Sequence, residues 1–211
     1  MLKFKIIPVT SYEQNCSLIW CDQTQQAALI DPGGDVSVLL AEIKQNQLEL
    51  KQIWLTHGHF DHISGTEELA SNNNIQVIGP HQNDLFLLEQ LTEQCELFNF
   101  PRVKPFTSDK WLSDGDKLQL GEEQFEILHT PGHTPGHIVI IHHGSKTVWV
   151  GDVLFKQSIG RTDLPGGNYS DLISSIKSKL FTLSGDYQFI PGHGPGGYLQ
   201  DEKNTNPFLQ N

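Results

Sequence analysis

The sequence predicts a protein of the α+β class, in which short strands and helices are combined in a chain of 211 residues. Before residue 31 the chain contains three short apolar runs separated by polar turns, a pattern typical of antiparallel strands. Two later segments, residues 36–47 and 169–180, carry apolar side chains at helical spacing. No linker, internal repeat or low-complexity tract interrupts the pattern. The expected organisation is therefore a single domain over residues 1–211.

The elements follow from apolar runs bounded by turn residues. In chain order, the predicted strands cover residues 2–9, 16–20, 27–30, 53–55, 75–78, 117–120, 124–128, 138–141, 147–150 and 187–190. The predicted helices cover residues 36–47, 63 to the asparagine run 72–74, 83–91 and 169–180. Residues 98–111 are rich in proline and aromatic side chains. They form either a plain connector or a wall or lid over a site.

Composition excludes several classes of partner. The chain has 14 basic and 25 acidic residues and a formal net charge of -11, which argues against binding nucleic acid or an anionic membrane surface. No apolar run approaches the ~18 residues of a membrane span, and the first residues lack the apolar core of a signal peptide. Cys16, Cys21 and Cys95 have no metal-binding or redox spacing. We therefore expect reduced thiols, a cytoplasmic location and no evident protein partner.

The segment Thr56-His57-Gly58-His59-Phe60-Asp61-His62 contains four potential metal ligands within six residues. It follows a short apolar strand and precedes a helix, so it forms the kind of loop that carries function. In an extended segment, residues two apart point to the same side, so His57 and His59 can hold one ion together. Asp61 and His62 follow the turn into the helix and should point to a second place. One loop thus predicts two half-sites.

Three later strands each end in a turn that carries another potential ligand, namely His133, Asp152 and His193. The ends of several strands can meet at one edge of a sheet, so these side chains can join the first loop. The combined set has five histidines, two aspartates and no cysteine, which suits Zn, Mn or Fe. Seven ligands are too many for one tetrahedral ion, but they fit two ions if one carboxylate bridges them.

The sequence allows two interpretations of Asp31. It opens the turn Asp31-Pro32-Gly33-Gly34 at the end of a strand, and turn chemistry is slightly favoured. The alternative is a carboxylate that orients a ligand histidine, as metal sites require.

Four motifs in this order, over residues 15–207, resemble the metallo-β-lactamase superfamily: T-H-G-H-F-D-H, G-H-T-P-G-H, G-D and P-G-H-G-P. Within it the chain is most similar to the glyoxalase II-like (hydroxyacylglutathione hydrolase-like) branch, in its short YcbL-type form. The resemblance implies an αββα four-layer sandwich, with two mixed sheets face to face, helices on both outer faces, and the site along one edge.

The resemblance also implies the ligand assignments. His57, His59 and His133 would bind the first metal. Asp61, His62 and His193 would bind the second, with Asp152 bridging the two. His133 is preferred over His137 because it directly follows the Pro-Gly turn, while His137 is expected to support the site. The implied cofactor is two divalent ions per chain, Zn in the first place, with Fe or Mn as alternatives.

The activity implied is binuclear metal-dependent hydrolysis of a thioester, S-lactoylglutathione or a related acyl thioester, through a metal-bridging hydroxide that Asp61 also orients. In contrast to full-length glyoxalase II, we expect no C-terminal helical domain of the kind that helps to bind glutathione. Arg161 matches the family's basic substrate contact. It is either that contact or a surface cation paired with Asp163.

Three other functions remain open at this stage. A mononuclear iron persulfide dioxygenase shares the sequence Gly-Arg-Thr-Asp at residues 160–163. A lactone or ester hydrolase would use the same metals with a different pocket. A metal-binding scaffold without turnover is disfavoured, because structural sites are closed by four ligands.

Overall fold

The computed structural model describes residues 1–73 and 75–210 and contains two mixed sheets. The first sheet is ordered β1-β2-β3-β4-β5. Its strands are Leu2–Val9, Gln14–Cys21, Gln26–Ile30, Glu49–Trp54 and Gln76–Ile78. Strands β1 to β3 pair antiparallel, and β3 to β5 pair parallel. This sheet therefore begins as a meander and ends with helical crossovers.

The second sheet is ordered β13-β12-β9-β8-β7-β6. Its strands, in chain order from β6 to β9 and then β12 and β13, are Lys117–Leu120, Glu123–His129, Ile138–His142, Thr147–Gly151, Gln188–Pro191 and Gly197–Tyr198. Only β9 and β12 pair parallel, because a helical connection lies between them. A small separate hairpin joins β10 (Leu154–Phe155) to β11 (Ser158–Ile159).

Seven α-helices flank the sheets within the described part of the chain. From α1 to α7 they are Val36–Gln45, Phe60–Ile63, Thr66–Asn73, Leu85–Glu89, Leu91–Leu97, Tyr169–Ser175 and Leu199–Thr205. A 3-10 turn at Gln82–Asp84 precedes α4, and a π-helical stretch at Ile176–Leu180 continues α6. None of the helices in these residues is long and apolar enough to cross a bilayer.

Three buried clusters separate four layers. Between the sheets, Trp54 of β4 packs on Phe125 of β7 with ring centroids 4.8 Å apart. The outer face of the first sheet packs against α1 to α5, where Leu39 is fully buried. The outer face of the second sheet packs against α6 and α7 through Leu172 and Phe189. The order is helix, sheet, sheet, helix, and the α+β sandwich with mixed sheets is confirmed.

The helix predicted from residue 63 is interrupted at Ser64 and Gly65, between α2 and α3. The N–H of Gly65 donates to the carbonyl of Pro32 at 2.8 Å, and a Cβ on Gly65 would press on that carbonyl. This close approach of two loops bends the chain, which residue periodicity does not show. The predicted helix ends in the asparagine run 72–74, of which Asn74 lies outside the described residues. Asn211, at the end of the predicted domain, also lies outside them.

Several short elements were not predicted. Helix α5 buries only Leu91 and Cys95, so its sequence lacks a clear apolar stripe. The small strands β10, β11 and β13 have two residues each. Helix α7 follows them with Leu199 and Glu202 buried. Elements this short depend on tertiary contacts rather than on local pattern.

Candidate metal centre

The first group of candidate ligands contains His57, His59 and His133. The first two lie on the loop after β4, and His133 lies on the loop between β7 and β8. One ligand atom from each lies within 4.8 Å of the others, and all three side chains are buried. His59 Nδ1 and His133 Nε2 are 2.9 Å apart. His57 Nε2 has no hydrogen-bond partner, and a buried polar atom left in this way needs a ligand to satisfy it.

Hydrogen bonds at Nδ1 fix the orientation of two rings of this group. The hydroxyl of Thr56 donates to Asp31, so it accepts from His57 Nδ1 at 3.0 Å. His133 Nδ1 donates to the carbonyl oxygen of Arg161 at 2.8 Å. A proton on Nδ1 leaves the lone pair on Nε2, so both rings present Nε2 to the centre of the group.

The second group contains Asp61, His62 and His193, again with ligand atoms within 4.8 Å of one another. His193 Nε2 lies 3.1 Å from Asp61 Oδ2, and His62 Nε2 lies 3.9 Å from the same oxygen. His193 Nδ1 donates to the carbonyl of Tyr12 at 3.1 Å. His62 Nε2, like its counterpart in the first group, is buried without a hydrogen-bond partner.

Asp152 lies between the two groups. Its Oδ1 is 3.4 Å from His62 Nε2, while its Oδ2 is 3.6 Å from His133 Nε2 and 3.9 Å from His193 Nε2. The buried Oδ1 has no hydrogen-bond partner. A Cβ on Gly192 would run into this carboxylate and the ring of His62, so the last loop must carry glycine there. The carboxylate is placed to contact an ion in either group.

His137 does not join the ligands. Its Nε2 accepts from the backbone N–H of Asp152 at 3.1 Å, and its ring stacks on His57 with centroids 4.7 Å apart. It therefore holds the backbone of the residue between the groups, and its role in supporting the site stays a prediction. The remaining histidines at 81, 129, 142 and 143 also lie outside the groups.

Asp31 has both of the roles that the sequence left open. It adopts a positive φ of 51° at its turn, and its carboxylate reaches the site. Oδ1 accepts from the N–H of Thr56 at 2.7 Å, and Oδ2 accepts from the Thr56 hydroxyl at 2.6 Å and from His62 Nδ1 at 3.0 Å. Asp31 also clusters with His57 and His62 within ligand distance, but these hydrogen bonds occupy its oxygens. Asp31 thus contacts the ring of His62 while it also forms the turn, and both interpretations agree with its contacts.

The two groups differ in protonation. Burial, reinforced by neighbouring imidazoles, lowers the pKa of His57 well below its ordinary value and that of His59 to about 3. In the second group, burial opposes protonation, yet Asp152 and Asp61 raise the pKa of His62 well above its ordinary value. The pKa of His193 is raised against burial by its hydrogen bond to Asp61. The pKa values are therefore shifted in opposite directions, lowered in the first group and raised in the second, so protons compete with a cation mainly at the second.

Asp84 is buried at the site, and it was not among the residues predicted from the sequence. Its Oδ2 accepts from the N–H of Gly58 at 3.0 Å and from the hydroxyl of Thr134 at 2.8 Å, and its Oδ1 accepts from the N–H of Gly136 at 2.5 Å. Burial raises the pKa of this carboxyl to about 6. In the sequence, an aspartate directly before the helix-forming run Leu-Phe-Leu-Leu-Glu indicates a helix cap. Its carboxylate instead connects the two loops that carry the first group.

A cavity of about 250 Å3 opens over the candidate ligands. Tyr12, Phe60 and Phe98 form an aromatic wall, with Phe60 and Phe98 stacked at 5.0 Å and Tyr12 edge-on to Phe60 at 5.1 Å. Phe98, the first residue of the irregular segment 98–111, is thus a wall of the site.

Arg161 lines the same cavity, 58% exposed, and pairs with Asp163 through Nε–Oδ1 at 2.7 Å and Nη2–Oδ2 at 2.8 Å. The two readings of Arg161 are therefore compatible, since it lines the cavity and also pairs with Asp163.

Comparison with known proteins supports this arrangement. The profile of the metallo-beta-lactamase superfamily matches residues 9–193. Hydroxyacylglutathione hydrolase GloC of Haemophilus influenzae is 46% identical over 209 residues, which cover 99% of this chain and 98% of that protein. Two crystal structures superpose closely. The BLEG-1 B3 metallo-beta-lactamase has a TM-score of 0.91 at 34% identity, covering 99% of this chain and 100% of that one. TTHA1623 in a di-iron-bound form has a TM-score of 0.89 at 35% identity, covering 97% and 100%.

The matched region contains every candidate ligand, from His57 to His193. The two histidine and aspartate groups, the four layers and the profile lead to one assignment: the chain belongs to the metallo-beta-lactamase superfamily and is a metallo-hydrolase of that family.

Proposed function

We propose that this protein is a binuclear metal-dependent thioester hydrolase of the glyoxalase II type, acting on S-lactoylglutathione or a related acyl thioester. The observation that carries the proposal is the pair of ligand groups joined by Asp152. The similarity to a hydroxyacylglutathione hydrolase over nearly the full length of both chains supports the substrate class.

The residues present fit two divalent ions. His57, His59 and His133 would hold one, Asp61, His62 and His193 the other, and Asp152 would contact both. The orphaned atoms His57 Nε2, His62 Nε2 and Asp152 Oδ1 are all buried, and a pair of cations would satisfy them together. Nitrogen and carboxylate donors suit Zn first, with Fe or Mn as alternatives. When bound, such ions supply an activated water and a positive charge for a carbonyl oxygen.

The chain's own residues would position the reactants. Asp61 lines the cavity floor, and its carboxylate can accept a hydrogen bond from the attacking water and so orient it. The aromatic wall of Tyr12, Phe60 and Phe98 excludes bulk water from one side of the cavity. Among the described residues no serine or cysteine nucleophile lines this cavity, so a water is the expected nucleophile.

The test combines metal content with thiol release. Purified protein loaded with Zn, Fe or Mn should bind two ions per chain and release thiol from S-lactoylglutathione. Asp61→Asn should reduce turnover by at least ~100-fold, the lower cost of losing one transition-state hydrogen bond. A protein that binds two ions and releases no thiol from any thioester would refute the proposal. One iron per chain with oxygen consumption would indicate the persulfide dioxygenase, and hydrolysis confined to lactones would indicate the ester-hydrolase alternative.

A further inference from the structure

A narrow apolar cleft opens beside the cavity over the ligands. It has a volume of about 160 Å3 and shares the lining residues His59, Phe98 and Leu164 with that cavity, so the two spaces are adjacent. Its other walls include Leu87, Leu97 and Pro165. Together the two spaces reach the lower part of the ~300–1,000 Å3 that small-molecule sites occupy.

We propose that this cleft takes the unbranched apolar acyl chain of a thioester, which makes the length of that chain a determinant of specificity. This inference rests on the proposed hydrolase function and names the substrate class within it.

Gln94, a half-buried side chain of the cleft, offers no free donor. Besides the shared histidine, the other two lining residues with polar chains are Gln90 and Glu93, and both are exposed. Gln94 Nε2 donates to the carbonyls of Gly58 at 3.1 Å and Leu87 at 2.8 Å, and its Oε1 accepts from the N–H of Phe60 at 3.2 Å. A peptide-like amide placed against Gln94 would lose its water without replacement, which disfavours a polar group there. The cleft therefore favours hydrocarbon.

Charge leads to the same conclusion. Of the described residues that line the cleft, none is Lys or Arg, and Glu93 contributes a negative charge. Arg161, in the neighbouring cavity, is engaged in its pair with Asp163. An arm that carries carboxylates would meet repulsion here rather than a partner.

The thiol side of the substrate has a different place. Tyr12 and Phe98 also border a wider cavity of about 610 Å3, whose lining includes Ser11, Asp35 and Asn99. Its described lining contains Asp35 and Glu68 and no Lys or Arg, so this open, polar space suits the amides of a thiol carrier rather than carboxylates. The acyl chain is then the arm left for the apolar cleft.

Exposure and size define the expected chain length. Leu97 is 79% exposed, although it lies at the wall of the cleft, so a hydrocarbon chain laid against it would remove apolar surface from water. If each group takes the ~30 Å3 of a water molecule, the cleft holds about five methylene-sized groups. The carbonyl carbon and up to two methylenes would lie in the adjacent cavity, so acyl chains of about six to eight carbons should fill the cleft.

The experiment is an acyl series from acetyl to decanoyl on one uncharged thiol, measured with the metal-loaded protein. Burial of a methylene is worth up to about fourfold in kcat/KM, so kcat/KM should rise with chain length and level off near octanoyl. Leu97→Glu should lower the octanoyl-to-acetyl ratio of kcat/KM by at least ~10-fold. The matched control is Leu40→Glu, the same change at a leucine of α1 that is 41% exposed and lines neither space. It should leave the ratio unchanged.

A binding measurement separates this inference from the proposed function. Thioether analogues carry alkyl chains of the same lengths and are not cleaved by hydrolases. Their affinity, measured by calorimetry, should increase with chain length, and Leu97→Glu should abolish that trend. If no thioester is cleaved but this trend is present, the hydrolase proposal fails and the cleft stands. A flat wild-type series in both kcat/KM and analogue binding, or a trend that Leu97→Glu does not alter, would overturn the cleft.

Discussion

The two ligand groups are built from the same loop but respond to protons in opposite ways. The first, with His57, His59 and His133, consists of buried imidazoles whose pKa values are all lowered, by burial first. The second contains a carboxylate, and its His193 side chain is 28% exposed. There the carboxylates raise the pKa values of both imidazoles, although His62 is as buried as His57. Neighbouring carboxylates, rather than burial or position in the sequence, therefore distinguish the two groups.

The largest expected effect comes from Asp152, which faces both groups. Asp152→Ala should reduce metal content to one ion per chain or fewer and lower thioester hydrolysis by more than ~10³-fold, beyond the cost of one transition-state hydrogen bond. His133→Ala and His193→Ala should each lose one ion only. Plasma mass spectrometry and thiol release measure both. Two ions in Asp152→Ala would show that this residue does not bridge the groups.

Asp84 distinguishes the groups by its position, because it joins the loop that both groups share to the loop of His133, which belongs to the first group alone. Asp84→Ala removes three hydrogen bonds and should lower the free energy of unfolding by roughly 2–4 kcal/mol. It should also weaken binding at the first group more than at the second. Denaturant melts and metal titrations provide the measurements, with Glu89→Ala on the exposed side of α4 as the control. Equal weakening of both ions would remove the distinction.

Lowering the pH should release the metal ions from the two groups one after the other. His62 and His193 have raised pKa values, so as pH falls they take up protons before the first group does, and each displaced proton lowers cation affinity about tenfold per pH unit. Metal content after dialysis between pH 7 and pH 5 should fall from two ions to one. The ion retained by His193→Ala should survive to lower pH than the ion retained by His59→Ala. The reverse order would contradict the contrast between the groups.

Arg161 is expected to have the smallest effect. It is exposed and paired with Asp163, and such pairs are worth ~0–1 kcal/mol, so Arg161→Ala should raise KM by no more than about fivefold and leave kcat nearly unchanged. That pattern is the sign of lost uniform binding. The control is Arg102→Ala, an exposed arginine near Glu96 and away from the cavity. An unchanged KM in Arg161→Ala would make this arginine a structural cation.

Local signals in the sequence predicted the α+β class and the meeting of the histidines at one edge, whereas the four layers followed from the resemblance to the metallo-β-lactamase superfamily. Apolar runs ending in glycine-rich turns placed His133, Asp152 and His193 at strand ends, and spacing of two separated His57 from Asp61. The role of Asp84 could not be predicted, since its three partners come from loops that only the fold brings together. The interruption of the helix at Gly65 could not be predicted for the same reason, because it is caused by the carbonyl of Pro32 on another loop.

The candidate ligands come from four segments, which follow β4 in the first sheet and β7, β9 and β12 in the second. In the unfolded chain these segments are far apart, so the site exists only in the native state. Any cation held there therefore binds the folded chain selectively and joins the two sheets at their shared edge. By thermodynamic linkage, free metal at 100 times its dissociation constant would add ~2.7 kcal/mol to the stability. With metal bound, the melting temperature would thus depend on the metal concentration around the protein, and a chelator would act on the fold as well as on the proposed reaction.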